Sequence, residues 1–281
     1  MGGTTPDGVR GVCGLGAGGT PLPLTPFQQA VARLLSSQRT PDSYLAGGAA
    51  LHLEPNSIRY SNDLDYFNDS TERVASAFAT DRRALQDAGY GVDVVIERNG
   101  FVRALVKGDA GSTKVEWVHD TAWRFLPTIR SDVAGYCLHP IDLAINKLLA
   151  LVGRDEPRDF LDTLHVHDHV LCLGALIWAG AGKDPGFTPP MLLGMLQRRG
   201  RYRPEDFARL WLVQQPSLPD LKQRWLAALD HAESFLASRA PHEMGCLYYS
   251  TSLCRFPRVP EEASDLVPHF GRPGGVLPLV G

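Results

Sequence analysis

The 281-residue sequence predicts an α+β protein in which a mixed β-sheet with flanking helices is followed by an α-helical C-terminal lobe. Three observations carry this. Apolar residues recur at helical spacing near residues 27–35 and 74–88, three β-rich segments follow between residues 92 and 118, and after Pro140 the helical period runs almost to Ser238.

The first helix has a start signal as well as a period. Thr25 can cap it, Pro26 suits its first turn, and Phe27, Ala30, Val31, Leu34 and Leu35 share one side. The second runs from about Thr71, with Val74, Ala77, Phe78, Ala84, Leu85 and Ala88 on one side and Gly89 as its stop. Val92–Glu97, Phe101–Lys107 and Thr113–Val118 are separated by Asn99-Gly100 and by Gly108–Gly111, which are turn chemistry. These elements divide the chain into a flexible Gly-rich tail (1–23), an α+β lobe (24–135), a helical lobe (136–240) and a Pro/Gly-rich tail (241–281), with residues 1–20 and 255–281 expected to be loosely ordered.

Composition narrows the function. Hydrophobic residues make up 44% and charged residues 21%, with 28 Lys+Arg against 31 Asp+Glu and a net charge of −3, which argues against non-specific wrapping of nucleic acid. Five scattered cysteines contain no Cys-x-x-Cys, so neither a disulfide framework nor a thiolate zinc site is expected. The longest apolar run, Val170 to Ala181, falls short of the roughly 20 residues that span a bilayer. A cytoplasmic protein with no membrane partner is the expectation.

Gly14-Leu15-Gly16-Ala17-Gly18-Gly19 matches the dinucleotide pattern G-x-G-x-x-G, which requires a strand before it and a helix after it. Here Gly and Arg precede it and Pro21 and Pro23 follow, so it is a decoy. The chemistry lies further on. Asp63 and Asp65 are two apart beside apolar and aromatic residues, so on a strand both carboxylates project to one spot. Two like charges side by side need a cation between them, and magnesium is the usual solution. Upstream, Gly47-Gly48 precedes a short helical run where bare backbone can approach phosphate oxygens. Glu116 is a third acid, placed to complete a metal site or to accept the proton of an attacking hydroxyl. An Asp-x-Asp alone is also common in exposed turns; the combination with Gly-Gly, Arg59, Ser61 and Glu116 points to a site.

A second constellation follows His139. Ile141, Ala144, Ile145, Leu148, Leu149 and Val152 form an apolar stripe, and Lys147 and Arg154, about two turns apart, share the opposite face. Two cations on one face suit a triphosphate, although ordinary surface pairing would explain the segment read alone. Pro157 starts a new helix, with Asp155 as a candidate cap and Asp159 and Asp162 at i, i+3.

Together these pieces resemble the AbiEii/AbiGii-type (MenT-like) toxins of the DNA-polymerase-β-like nucleotidyltransferase superfamily. The resemblance rests on Gly47-Gly48-Ala-Ala-Leu, Arg59-x-Ser61, Asp63-Leu-Asp65-Tyr-Phe, Lys114-Val-Glu116 and Lys147-x6-Arg154-x3-Arg158-Asp159-x2-Asp162, within residues 44–165. It implies a nucleotidyltransferase-type fold and a Mg2+ (or Mn2+) site on Asp63 and Asp65, joined by Glu116. It also implies nucleotide contacts at Gly47, Gly48, Ser61, Lys147 and Arg154, with Asp162 as an acid near the reacting centre. The implied reaction moves a nucleoside monophosphate from an NTP to an acceptor hydroxyl and releases pyrophosphate. The implied acceptor is the 3′ end of tRNA, and the implied partner a cognate antitoxin. The sequence departs from the family in carrying Gly-Gly where Gly-Ser is common, and Glu rather than Asp as the third acid.

Other readings stay open at this stage: a small-molecule or protein nucleotidyltransferase, an inactive nucleotide- or antitoxin-binding module, or a zinc hydrolase. The last would use His165 and His169, which face one way on a helix while His167 points about 160° away. Arg198-Arg199-Gly200-Arg201-Tyr202-Arg203 is a candidate RNA contact with a stacking tyrosine, or a solvated loop. Trp123-Arg124-Phe125 reads as packing between the lobes.

Overall fold

The computed structural model describes residues 24–53 and 57–278. The glycine-rich pattern at 14–19, the 1–23 segment and Cys13 lie outside the described residues. The chain runs through α1 (Pro26–Ser36), β1 (Ser43–Ala46), α2 (Gly47–Leu51), β2 (Asp63–Asn68), α3 (Thr71–Asp87), β3 (Gly91–Arg98), β4 (Phe101–Gly108), β5 (Gly111–His119), β6 (Trp123–Arg124), β7 (Ile129–Ser131) and β8 (Gly135–Cys137). There follow α4 (Pro140–Arg154), α5 (Pro157–His169), α6 (Leu173–Lys183), α7 (Pro189–Leu196), α8 (Pro204–Ala208) and α9 (Leu218–Ser238), then β9 (Leu247–Ser250), β10 (Leu266–His269) and β11 (Arg272–Pro273).

Seven strands form one sheet in the order β3-β4-β5-β2-β1-β8-β7. Two of its pairings, β2 with β5 and β1 with β8, are parallel, and the others are antiparallel. Period-two alternation gives the sheet two different faces. Leu64 and Tyr66 of β2, Val115 and Trp117 of β5, and Val102, Ala104 and Val106 of β4 are buried. They pack with Val31 and Leu35 of α1 and Val74, Ala77, Phe78 and Leu85 of α3. The opposite face carries Asp63, Asp65 and Glu116.

The helix starts follow their caps. Thr25 and Gln28 close a capping box on α1, with Thr25 Oγ1 accepting from the Gln28 N–H at 3.1 Å and Gln28 Oε1 accepting from the Thr25 N–H at 2.9 Å. The Gln28 amide also donates to the Ser61 carbonyl at 3.0 Å, which ties α1 to the loop ahead of β2. Asp155 is not the cap of α5. It takes a left-handed φ of 50° at the end of α4, and Glu156 precedes α5 instead.

The segment after residue 240 is not a loose tail in its described part. Cys246, Leu247, Tyr248 and Tyr249 are buried, β9 pairs with β10, and β11 pairs with β6. His269 Nε2 lies 3.0 Å from the Phe125 carbonyl. Gly245, Gly274 and Gly275 turn the chain at positive φ, Pro268 and Pro273 lie within β10 and β11, and residues 246–249 supply buried surface. The Trp123–Phe125 segment sits between the two parts of the chain. Arg124 pairs with Asp69, and the backbone N–H groups of Phe125 and Leu126 donate to the buried Asp142 carboxylate of α4 at 2.9 and 3.0 Å.

On the helical side of the sheet, Asp81 of α3 is fully buried, accepts from Trp117 Nε1 at 2.7 Å and pairs with the buried Arg39. Removing one member leaves the other charge buried and alone. Asp81→Ala is therefore expected to cost about 3–5 kcal/mol, read as a lower urea midpoint with an unchanged slope. A loss within the range of ordinary surface substitutions would show that Arg39 finds another partner.

Candidate active site

The sheet face opposite α1 and α3 lines a cavity of about 790 Å³ whose far wall comes from α4 and the start of α5. In the parallel register of β2 and β5, Asp65 lies opposite Glu116 and Asp63 opposite Lys114. This places ligand oxygens of Asp63, Asp65 and Glu116 within 4.8 Å of one another. Among the described residues, no other group of three His, Cys, Asp or Glu side chains is close enough to share an ion. All-oxygen donors of this kind suit a hard divalent cation such as Mg2+ or Mn2+.

Electrostatics supports that fit. Burial, followed by the charges of Asp63 and Glu116, pushes the Asp65 carboxyl up from 3.8 to about 7. A divalent cation among the three oxygens would relieve that penalty. Two protein cations already lean on the cluster: Lys114 Nζ is 2.7 Å from Asp63 Oδ2 and 3.2 Å from Glu116 Oε1, and Arg103 Nε is 2.8 Å from the same Glu116 oxygen.

Gly47 shows why the turn before α2 has its sequence. Its φ is +63°, and a Cβ there would lie 2.0 Å from Asp65 Oδ2. A Cβ on Gly48 would lie 2.8 Å from an Arg59 nitrogen and 3.3 Å from Ser61 Oγ. The Gly-Gly pair therefore lets backbone, rather than side chains, face the cavity beside the acids. Arg59 fills the space that a side chain at position 48 would enter. Ser61 itself is buried, donates through Oγ to the Asp63 carbonyl at 2.9 Å, and supports this loop without lining the cavity.

Lys147 and Arg154 both line the cavity, as their shared helix face predicts, but neither is a free surface cation. Lys147 is 8% exposed at its side chain, 2.9 Å from Asp162 Oδ2 and 3.8 Å from Asp159 Oδ1. Arg154 grips Asp159 with two bonds of 2.8 and 3.0 Å. Asp162 is fully buried. It receives two bonds from Arg59, at 2.7 and 2.6 Å, and lies 2.9 Å from His52 Nε2. Burial alone would raise its carboxyl, but the charges of Lys147 and Arg59 overcome this and hold it well below the usual carboxylate range. Burial also lowers the His52 imidazole, and because the Asp162 carboxylate can only accept, His52 Nε2 is the donor between them. Asp162 thus faces its three partners and not the cavity.

Sequence reasoning assigned no part to His52, Asp159 or Arg103. A lone histidine and a strand arginine carry no local signal, while the i, i+3 spacing of Asp159 and Asp162 already hinted at a shared face. His165 and His169 stack with ring centroids 4.5 Å apart, and His169 Nδ1 bonds the His165 carbonyl at 2.8 Å. In the arginine-rich loop, Tyr202 packs on Phe160 and its hydroxyl donates to Asp155 at 2.6 Å, while Arg199 pairs with Asp155. This tyrosine is an anchor of the loop and not a free stacking platform.

The sequence model of the family described as "Nucleotidyl transferase AbiEii toxin, Type IV TA system" matches residues 29–242. The chain belongs to this family. It is a nucleotidyltransferase of a toxin–antitoxin class. No curated protein matches the sequence. Among solved structures, the chain is similar to MenT4, a nucleotidyltransferase toxin of Mycobacterium tuberculosis H37Rv, with a TM-score of 0.54 and 17% identity over 77% of this chain and 83% of that one. JHP933 from Helicobacter pylori aligns with a TM-score of 0.46 and 15% identity over 75% of this chain and 92% of that one. At this identity the likeness to MenT4 speaks for the fold, a nucleotidyltransferase-type sheet with helices and a helical C-terminal region. No helix among the described residues is long and apolar enough to cross a membrane.

Two outcomes test the geometry. A carboxyl whose folded pKa lies above its unfolded value weakens the fold as pH rises past the unfolded value, and the penalty is complete above the folded one. Asp65→Asn should therefore raise the Tm of chelator-treated protein at pH 8 but not at pH 4, the gap opening between 3.8 and about 7. An equal gap at both pH values would remove the electrostatic explanation. Gly47→Ala should cost roughly 1–2 kcal/mol for the left-handed backbone alone. It should also displace Asp65 and lower the affinity for nucleotide, measured by equilibrium binding; unchanged affinity would show that the turn tolerates a Cβ.

Proposed function

We propose that this AbiEii-family enzyme uses Mg2+ or Mn2+ to transfer a nucleoside monophosphate from an NTP to an acceptor hydroxyl, with the 3′ end of tRNA as acceptor. The observation that carries the reading is the facing of two walls. Three carboxylates from adjacent parallel strands stand across one cavity from Lys147 and Arg154. Asp63, Asp65 and Glu116 would hold the cation. When bound, it supplies Lewis-acid stabilisation of the phosphoryl oxygens.

The chain's own groups account for the rest. Gly47 and Gly48 present bare backbone beside the acids, so phosphate oxygens can come close. Lys147 and Arg154 offset the charge of the departing pyrophosphate, and their carboxylate partners keep them aimed. The acceptor oxygen attacks the α-phosphorus, the bond to the bridging oxygen of the β-phosphate breaks, and a carboxylate of the cluster takes the acceptor's proton. Asp162 acts as a positioning residue: its burial and three partners leave it no path to the substrate. The tRNA acceptor and a cognate antitoxin rest on the family resemblance. The zinc alternative lacks support: among the described residues, neither His165 nor His169 belongs to a group of three side chains close enough to share an ion.

The test is label transfer. Purified protein is incubated with each α-labelled NTP and Mg2+, with and without total tRNA, beside Asp65→Ala. Label on tRNA with the wild type and at least about a hundredfold less with the variant is expected. Asp65-dependent pyrophosphate release without tRNA labelling would discard the RNA acceptor and keep the reaction. Loss of turnover under every condition would overturn the reading.

A further inference from the structure

Among the described residues, Lys114 is the one cation that bridges two members of the acidic cluster, and it is held there differently from Lys147. Lys114 sits on β5 two residues before Glu116 and directly opposite Asp63, so the pleat points all three side chains to one face. Its ammonium lies within ion-pair distance of both Asp63 and Glu116. Lys147 is nearly enclosed at 8% exposure, whereas the Lys114 side chain is 36% exposed at the cavity wall. Four single bonds in its stem let the Lys114 head travel several ångströms without backbone movement.

The position it occupies is contested. A divalent cation takes carboxylate oxygens at about 2.0–2.6 Å. A cation held that way by Asp63 Oδ2 and Glu116 Oε1 would stand beside an ammonium 2.7 and 3.2 Å from the same two atoms. Two cations that close repel strongly. The carboxylates cannot serve both at full strength.

We infer that Lys114 is an exchangeable counter-cation: it neutralises the Asp63–Glu116 pair in the metal-free protein, is displaced by the divalent ion, and then turns to the triphosphate. This rests on the metal-dependent reading above and adds coupling to it. Released by metal alone, Lys114 loses two carboxylates and gains only water; with nucleotide present it gains a phosphate oxygen. Metal therefore binds weakly to the free protein and more tightly when nucleotide is there, and by linkage nucleotide binds more tightly with metal. Arg103, 35% exposed, meets the same Glu116 oxygen from β4 and faces the same competition there, but it has no bond to Asp63 and so does not bridge the pair.

The test is Mn2+ binding to the full chain, followed by electron paramagnetic resonance, without turnover. Lys114→Met should bind Mn2+ about tenfold more tightly than wild type in the absence of nucleotide. It should bind a non-reactive α,β-methylene NTP analogue about tenfold more weakly at saturating Mn2+. Lys114→Arg, which keeps the charge, should stay near wild type in metal affinity, and it tells lost charge from damaged structure. A Lys114→Met protein that folds and binds Mn2+ no more tightly than wild type overturns the inference alone. Absence of Mn2+ binding by wild type and both variants overturns the metal-dependent reading and this inference with it. If Lys114→Met fails to fold, Lys114→Gln carries the same comparison.

Discussion

A carboxylate shut away from water and surrounded by three donors holds the two parts of this protein in register. Asp162 of α5 receives Arg59 from the loop before β2, Lys147 from α4, and His52 from the end of α2. A lone charge at that depth would be very costly, and it is tolerated because its oxygens are fully subscribed. The same bonds set how far the Gly-Gly turn and the acidic strands stand from the cationic wall of α4. Were the carboxylate withdrawn, Arg59 and Lys147 would be left as buried cations without their main partner, and the cavity would lose its far side.

Around that anchor the site uses cations of two kinds. Lys147 and Arg154 are braced by Asp162 and Asp159, which fixes their direction at the expense of freedom. Lys114 and Arg103 lie over the acids on side chains with about a third of their surface open. Braced cations suit a group that must be met at a fixed place, such as a departing pyrophosphate. Loosely held cations suit carboxylates whose partner changes. Asp65, pressed between burial and two neighbouring acids, sets an electrostatic cost that a bound cation would relieve.

The local features were legible because their causes are local. Alternation in Asp63–Phe67 and Lys114–Val118 is a property of the pleat, so both acids of β2 and the one of β5 had to share faces within their own strands. The cap at Thr25, the stripe of α4 and the turn at Asn99-Gly100 are equally short-range. The end of the chain misled for the converse reason. Its glycines and prolines look like disorder, but Cys246 to Tyr249 find a buried place and β11 finds β6, 148 positions away from Arg124 at Arg272.

By itself, then, the sequence determined the first and third helices, the three strands between residues 91 and 119, the pairing of Asp63 with Asp65 on one face, the shared face of Lys147 and Arg154, and the resemblance that led to the family. Tertiary structure decided which of these groups line the cavity. It brought Glu116 into register with Asp65, turned Asp162 and Ser61 inward as supports, and gave His52, Asp159, Arg103 and Lys114 their partners. Direction along one strand or helix follows from the backbone period, which a sequence carries. Which charge neutralises which is settled by distance between segments far apart in the chain, and at the low dielectric of a buried site that distance governs the energy.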